Sequence, residues 1–126
     1  MTTPKFYRLG EQLSFVQGSG ILGYLSSGWA VPEKNHCWTI GPRAQLRMTV
    51  QNPEKRGFQI RLECVPFLGN GRLSEQRVDV AINGRQVGQW LVRTTGWYEA
   101  DCASDAVPPG PIVVSFEIAN PTAPSE

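Results

Sequence analysis

The chain has 126 residues, with 12 lysines and arginines against 11 aspartates and glutamates, and its net charge of +1 leaves no basic footprint of the kind a nucleic-acid binder needs. The 13 glycines and 10 prolines beside only 18% charged residues describe a turn-rich chain of one-domain size. No apolar run is long enough to cross a bilayer, and MTTPKFYRLGEQLSF lacks the charged start and long apolar stretch of a secretory signal, so no membrane partner is expected and a cytoplasmic location is.

In chain order, EQLSFV and GILGYL are the first, weak strand candidates, and HCWTI is a third. A clear period of two begins at AQLRMTV, where Leu46, Met48 and Val50 alternate with Gln45, Arg47 and Thr49. It recurs in FQIRLEC, where Phe58, Ile60, Leu62 and Cys64 share a side, and in RVDVAI, where Val78, Val80 and Ile82 do. Asn83-Gly84 follows, and both residues tolerate the positive φ of a type I′ hairpin turn, which predicts Ile82 opposite Arg85 and Val80 opposite Val87. WYEADCA is another candidate, and the last strand places Ile112, Val114, Phe116 and Ile118 on one side.

Turn signals at Gly41-Pro42, Asn52-Pro53, Gly69-Asn70-Gly71 and Pro108-Pro109-Gly110 separate these segments. The pattern predicts an all-β fold of about eight or nine strands, an antiparallel two-sheet β-sandwich of jelly-roll-like form. It forms a single domain over residues 1–126, with 120–126 a proline-rich polar tail expected to be flexible. Cys37, Cys64 and Cys102 are odd in number and widely spaced, which fits neither a disulfide framework nor a zinc motif, so buried reduced thiols and no cofactor are expected.

One segment departs from strand chemistry. GWAVPEKNHCWTIGPR concentrates Trp29, Glu33, His36, Trp38 and Arg43 in an expected loop punctuated by Pro32 and Pro42. Loops carry function disproportionately. An indole offers a flat surface to the C–H face of a pyranose, while amide, carboxylate and guanidinium groups satisfy its hydroxyls. Trp29, Glu33, Trp38 and Arg43 are therefore the candidate contact group for a carbohydrate ligand. The structural reading of the same residues is that the tryptophans plug the end of the sandwich, Glu33 caps a turn and Arg43 pairs with a carboxylate.

The runs GWAVPEKNHCWTIGPRAQLRMTV, RVDVAINGRQVGQWLV and IVVSFEIANPTAP together resemble a β-sandwich accessory domain that accompanies glycosyltransferases and phosphoglycerol transferases of bacterial cell-surface polysaccharide assembly. The resemblance rests on the ordered set Gly28, Trp29, Pro32, Glu33, Trp38, Asn83, Gly84, Asn120 and Pro121, and covers the chain from about Gly20 onward. It implies a non-catalytic, carbohydrate-associated role. The family pattern continues past its Asn-Pro element into a further strand, so the resemblance implies an edge to be covered here by the N-terminal segment or by a second subunit, a homodimer through a sheet edge.

Catalysis finds little support in the residues. His36 is the lone histidine, too few for a cupin-type metal site. The acids Glu33, Asp79, Glu99 and Asp101 could supply a glycosidase pair, but their spacing does not demand it. The alternative to a carbohydrate-binding module is a protein-interaction or self-association module with no sugar ligand.

Overall fold

The computed structural model describes residues 5–8, 10–51, 58–66, 74–102 and 110–119. Among them are the strands β1 (Phe6–Arg8), β2 (Arg43–Gln51), β3 (Phe58–Cys64), β4 (Gln76–Ile82), β5 (Arg85–Val92), β6 (Gly96–Cys102) and β7 (Pro111–Ile118), with a short 3₁₀ turn at Ile21–Gly23. They form two sheets, one of five strands in the order β1-β2-β7-β4-β5 and one of β3 with β6. The chain is all-β. The pairs β2–β7, β3–β6 and β4–β5 are antiparallel and nested one inside the next.

The expectation of wholly antiparallel sheets needs one correction, because β1 runs parallel to the end of β2. A parallel neighbour requires a long crossover rather than a tight turn, and the excursion over residues 10–42 supplies it. Thr49 N–H donates to the Lys5 carbonyl at 3.0 Å and the Tyr24 hydroxyl to the Phe6 carbonyl at 2.9 Å, which fastens β1 to this edge.

The weak strand candidates also fall differently. EQLSFV forms no strand, GILGYL becomes the 3₁₀ turn followed by a bridge from Leu25 to Leu46, and HCWTI contributes a single bridge from Trp29 to Thr39. Their apolar residues serve packing instead: Ile21 and Tyr24 are buried, and Leu13, Phe15 and Leu25 lie against the core. That core is the inner face of the large sheet, where Leu46 and Met48 alternate with Gln45, Arg47 and Thr49, and Val80, Ile82, Ile112 and Val114 are buried beside them. Ala100 and Cys102 of β6 close it from the small sheet.

The hairpin forms where Asn-Gly predicts it, with φ of 49° at Asn83 and 85° at Gly84. Ile82 lies opposite Arg85, as expected, but Val80 lies opposite Gly88 rather than Val87, because the register shifts between Val80 and Ala81. The cause is legible in β5. Val87 and Trp90 both pack inward although they are three positions apart, and a period of two accommodates that only with an inserted residue. Gly88 is required at the crossing, since a Cβ there would lie 2.8 Å from the Ala100 Cβ of β6. The 120–126 tail, the Asn120-Pro121 element and the Asn52-Pro53 and Gly69-Asn70-Gly71 turns lie outside the described residues.

Candidate ligand cleft

The segment from Gly28 to Ile40 is a tightened loop that doubles back on itself. Ile40 N–H donates to the Gly28 carbonyl at 2.7 Å, Ala30 N–H to the Trp38 carbonyl at 2.8 Å and Glu33 N–H to the His36 carbonyl at 2.7 Å, so the turn falls at Glu33–His36. This ladder brings Trp29 and Trp38 to the same end of the molecule. The Trp29 indole N–H donates to the Gln45 carbonyl at 2.8 Å, and its ring packs between Phe15 and Phe116, at centroid distances of 5.4 and 6.4 Å. Trp38 is half-buried and meets the His36 ring edge-on at 5.1 Å.

Both indoles line a cleft of about 810 Å³, within the range of ~300–1,000 Å³ typical of small-molecule sites. Its floor is apolar, formed by Leu46, Met48, Val78, Val92, Ile112 and Val114 of the large sheet. Ile60, Leu62 and Cys64 of β3 make the facing wall, with Leu13 and Phe15 of the N-terminal segment at the end. Polar residues form the rest of the lining, among them Gln12, Ser14, Asn35 and His36. The lining thus combines apolar surface with hydroxyl, amide and imidazole groups.

The four residues singled out in the sequence divide. Trp29 and Trp38 line the cleft, whereas Glu33 and Arg43 do not. Glu33 Oε2 sits 3.0 Å from His36 Nε2, so Glu33 meets a cleft residue without itself lining the cleft. Arg43 belongs to the opposite surface. Its neighbour Ala44 is buried in the core, so Arg43 points to the solvent face of the large sheet, where its guanidinium holds Glu117 at 2.5 Å. It borders a smaller recess there with Arg77 and Asp79.

The acids weighed as a hydrolytic pair lie apart. Asp79 accepts from Gln89 at 2.9 Å on the outer face of the large sheet. On the outer face of the small sheet, Glu99 pairs with Arg61 at 3.0 Å and Asp101 accepts from Gln59 at 3.0 Å. Among the described residues no group of three or more His, Cys, Asp or Glu is placed to hold a metal ion. No described helix is long and apolar enough to cross a membrane.

No protein-family model, curated protein or solved structure matches this chain. The cleft is therefore read on its own geometry.

Sequence reasoning did not single out two features of this region. Leu13 and Phe15 supply the end wall, and an apolar pair in EQLSFV marks a buried segment without saying that it plugs rather than pairs. Trp97 is 51% exposed and carries the Arg61 guanidinium 5.4 Å from its ring centroid. Alternation held that signal, because the spacing that turns Glu99 and Asp101 outward turns Trp97 outward with them.

The cysteines are free thiols. Burial pushes Cys64 and Cys102 up to about 11, with Glu63 and Asp101 respectively adding to the rise and a backbone hydrogen bond from Ile60 opposing it at Cys102. A thiol whose folded value lies above its unfolded value binds its proton more tightly in the native state. Its stabilising contribution is complete below the unfolded value, roughly 8.5, and is lost as pH rises through the folded one. Urea midpoints are thus expected to fall between pH 8.5 and 11, and the Cys64→Ala/Cys102→Ala double variant is expected to fall less steeply; equal slopes would remove the thiols from the account.

Proposed function

We propose that the chain is a non-catalytic, carbohydrate-binding-like module of jelly-roll-like sandwich form, associated with bacterial cell-surface polysaccharide metabolism. The nested pairing of β2 with β7, β3 with β6 and β4 with β5 supports the architecture, since a jelly roll is a long hairpin folded over on itself. The observation that carries the functional reading is the cleft itself, with two indoles and amide, hydroxyl and imidazole groups in one lining. A pyranose needs that combination, an apolar surface for its C–H face and donors and acceptors for its hydroxyls.

Within this reading Trp38 is the stacking residue and His36, held by Glu33, is a hydroxyl partner. Trp29 shapes the wall, because its N–H is already given to Gln45 and its ring to Phe15 and Phe116. Arg43 lies on the far face and takes no part. Calorimetric titration with a panel of bacterial-type mono- and oligosaccharides tests this. Heat is the better readout, since a tryptophan variant removes its own fluorescence reporter. Saturable binding by the native chain is expected, weakened at least tenfold in Trp38→Ala, where base-sized stacking partners are worth roughly 1–3 kcal/mol, and unchanged in Arg43→Ala. A silent panel, or binding that Trp38→Ala leaves intact, rejects the assignment.

A further inference from the structure

β3 pairs with β6 over its whole length without a register shift, and no described strand lies against its other side. One hydrogen bond identifies which backbone groups that edge presents. The Trp90 indole N–H donates to the Glu99 carbonyl at 2.7 Å, so this carbonyl points off β6 toward β5, away from β3. Arg61 is the register partner of Glu99. Their pair is therefore of the non-hydrogen-bonded kind, and since the two kinds alternate along an antiparallel ladder, so are Gln59/Asp101 and Glu63/Trp97. The N–H and C=O groups of Gln59, Arg61 and Glu63 thus project from the free edge of β3.

We infer that this edge pairs with the same edge of a second copy of the chain, antiparallel about a two-fold axis at Leu62. The backbone requires that odd-numbered residues oppose odd-numbered residues, which leaves only registers centred on a residue. Charge chooses among them. A register centred on Arg61 opposes two arginines and one centred on Glu63 opposes two glutamates, both unfavourable. Centred on Leu62, it sets Arg61 against Glu63 of the second copy and Glu63 against its Arg61.

Each of these pairs exchanges both backbone hydrogen bonds and adds an ion pair. On the other face Leu62 meets Leu62, and Ile60 meets Cys64. Val65, 56% exposed in the isolated chain, comes to lie beside Gln59 of the second copy. The two-stranded sheet becomes a four-stranded one, β6-β3-β3-β6, and an open edge of seven residues is removed. An apolar ligand would leave those backbone groups unpaired.

Sedimentation equilibrium over a range of protein concentrations tests the pairing without reference to any ligand. The native chain is expected to be a dimer in reversible equilibrium. Glu63→Arg replaces both ion pairs by like charges and is expected to raise the dimer dissociation constant by roughly tenfold or more. Adding Arg61→Glu to the same chain restores opposite charges across the axis, so the double variant is expected to dimerise roughly tenfold more tightly than Arg61→Glu alone, which shares its loss of the Glu99 ion pair. Leu62→Cys in a Cys64→Ser background gives an independent reading, since opposed positions of this kind lie roughly 4.5–5.5 Å apart at Cβ and oxidise to a covalent dimer. A monomer at every concentration overturns the inference. So does a dimer that Glu63→Arg leaves unchanged, or a double variant that dimerises no more tightly than Arg61→Glu alone.

Discussion

Gly28→Ala is expected to destabilise the fold by about 4 kcal/mol or more, at the extreme of what single substitutions do. Two costs combine at this position. Its φ of 85° is one that L-residues adopt only with strain. A Cβ built there would also lie 1.9 Å from the Arg43 carbonyl oxygen and 2.7 Å from the Ala44 Cα. Those neighbours are backbone atoms at the start of β2, and Ala44 is fully buried, so neither gives way cheaply. The loop would have to lift from the strand, breaking the bond from Ile40 N–H to the Gly28 carbonyl and drawing the Trp29 indole off Gln45. Gly84→Ala separates the two costs, because Gly84 has the same φ of 85° with no atom within 4 Å of its Cβ position. It is expected to lose only about 1–2 kcal/mol. Urea unfolding followed by circular dichroism compares them, and equal losses would refute the close-approach argument.

The parts of this fold that follow a period of two were legible. AQLRMTV, FQIRLEC, RVDVAI and the run from Ile112 to Ile118 all lie in strands, and the expected residues from Leu46 to Val50, Ile60 to Cys64, Val78 to Ile82 and Ile112 to Phe116 turn inward, since a half-buried antiparallel strand must alternate. The same alternation already set Arg43 on the solvent face with Arg47, opposite Ala44, which argues against grouping it with the tryptophans. Less legible were residues whose positions depend on distant partners. Ile21, Tyr24 and Phe15 pack as plugs held by contacts to other elements, and a three-residue parallel strand such as β1 is too short to show any period. The cleft is built from residues of both sheets, so its wall from β3 and its floor from β2, β4, β5 and β7 appear in no single window of sequence.

Trp90 bridges those two sheets, and Trp90→Ala is expected to cost about 3–5 kcal/mol. The side chain leaves β5 in the large sheet, is 5% exposed, and delivers its N–H to the Glu99 carbonyl of β6 in the small one. Its ring packs against Phe116 and Tyr98, each at a centroid distance of 6.0 Å, so it touches both sheets at once. Truncation removes this packing and leaves a cavity lined by rings that cannot collapse into it. Trp90→Phe retains most of the apolar contact and loses the hydrogen bond, for an expected loss of about 1–3 kcal/mol as the Glu99 carbonyl goes unmet. Where that smaller loss appears is the more informative result. Because the bond joins β5 to β6, amide exchange in Trp90→Phe is expected to quicken in β3 and β6 while β2 and β7, which pair with each other within the large sheet, keep their protection. Uniform acceleration across both sheets would mean that they open only together, and that Trp90 stabilises the core as a whole rather than pinning the smaller sheet to it.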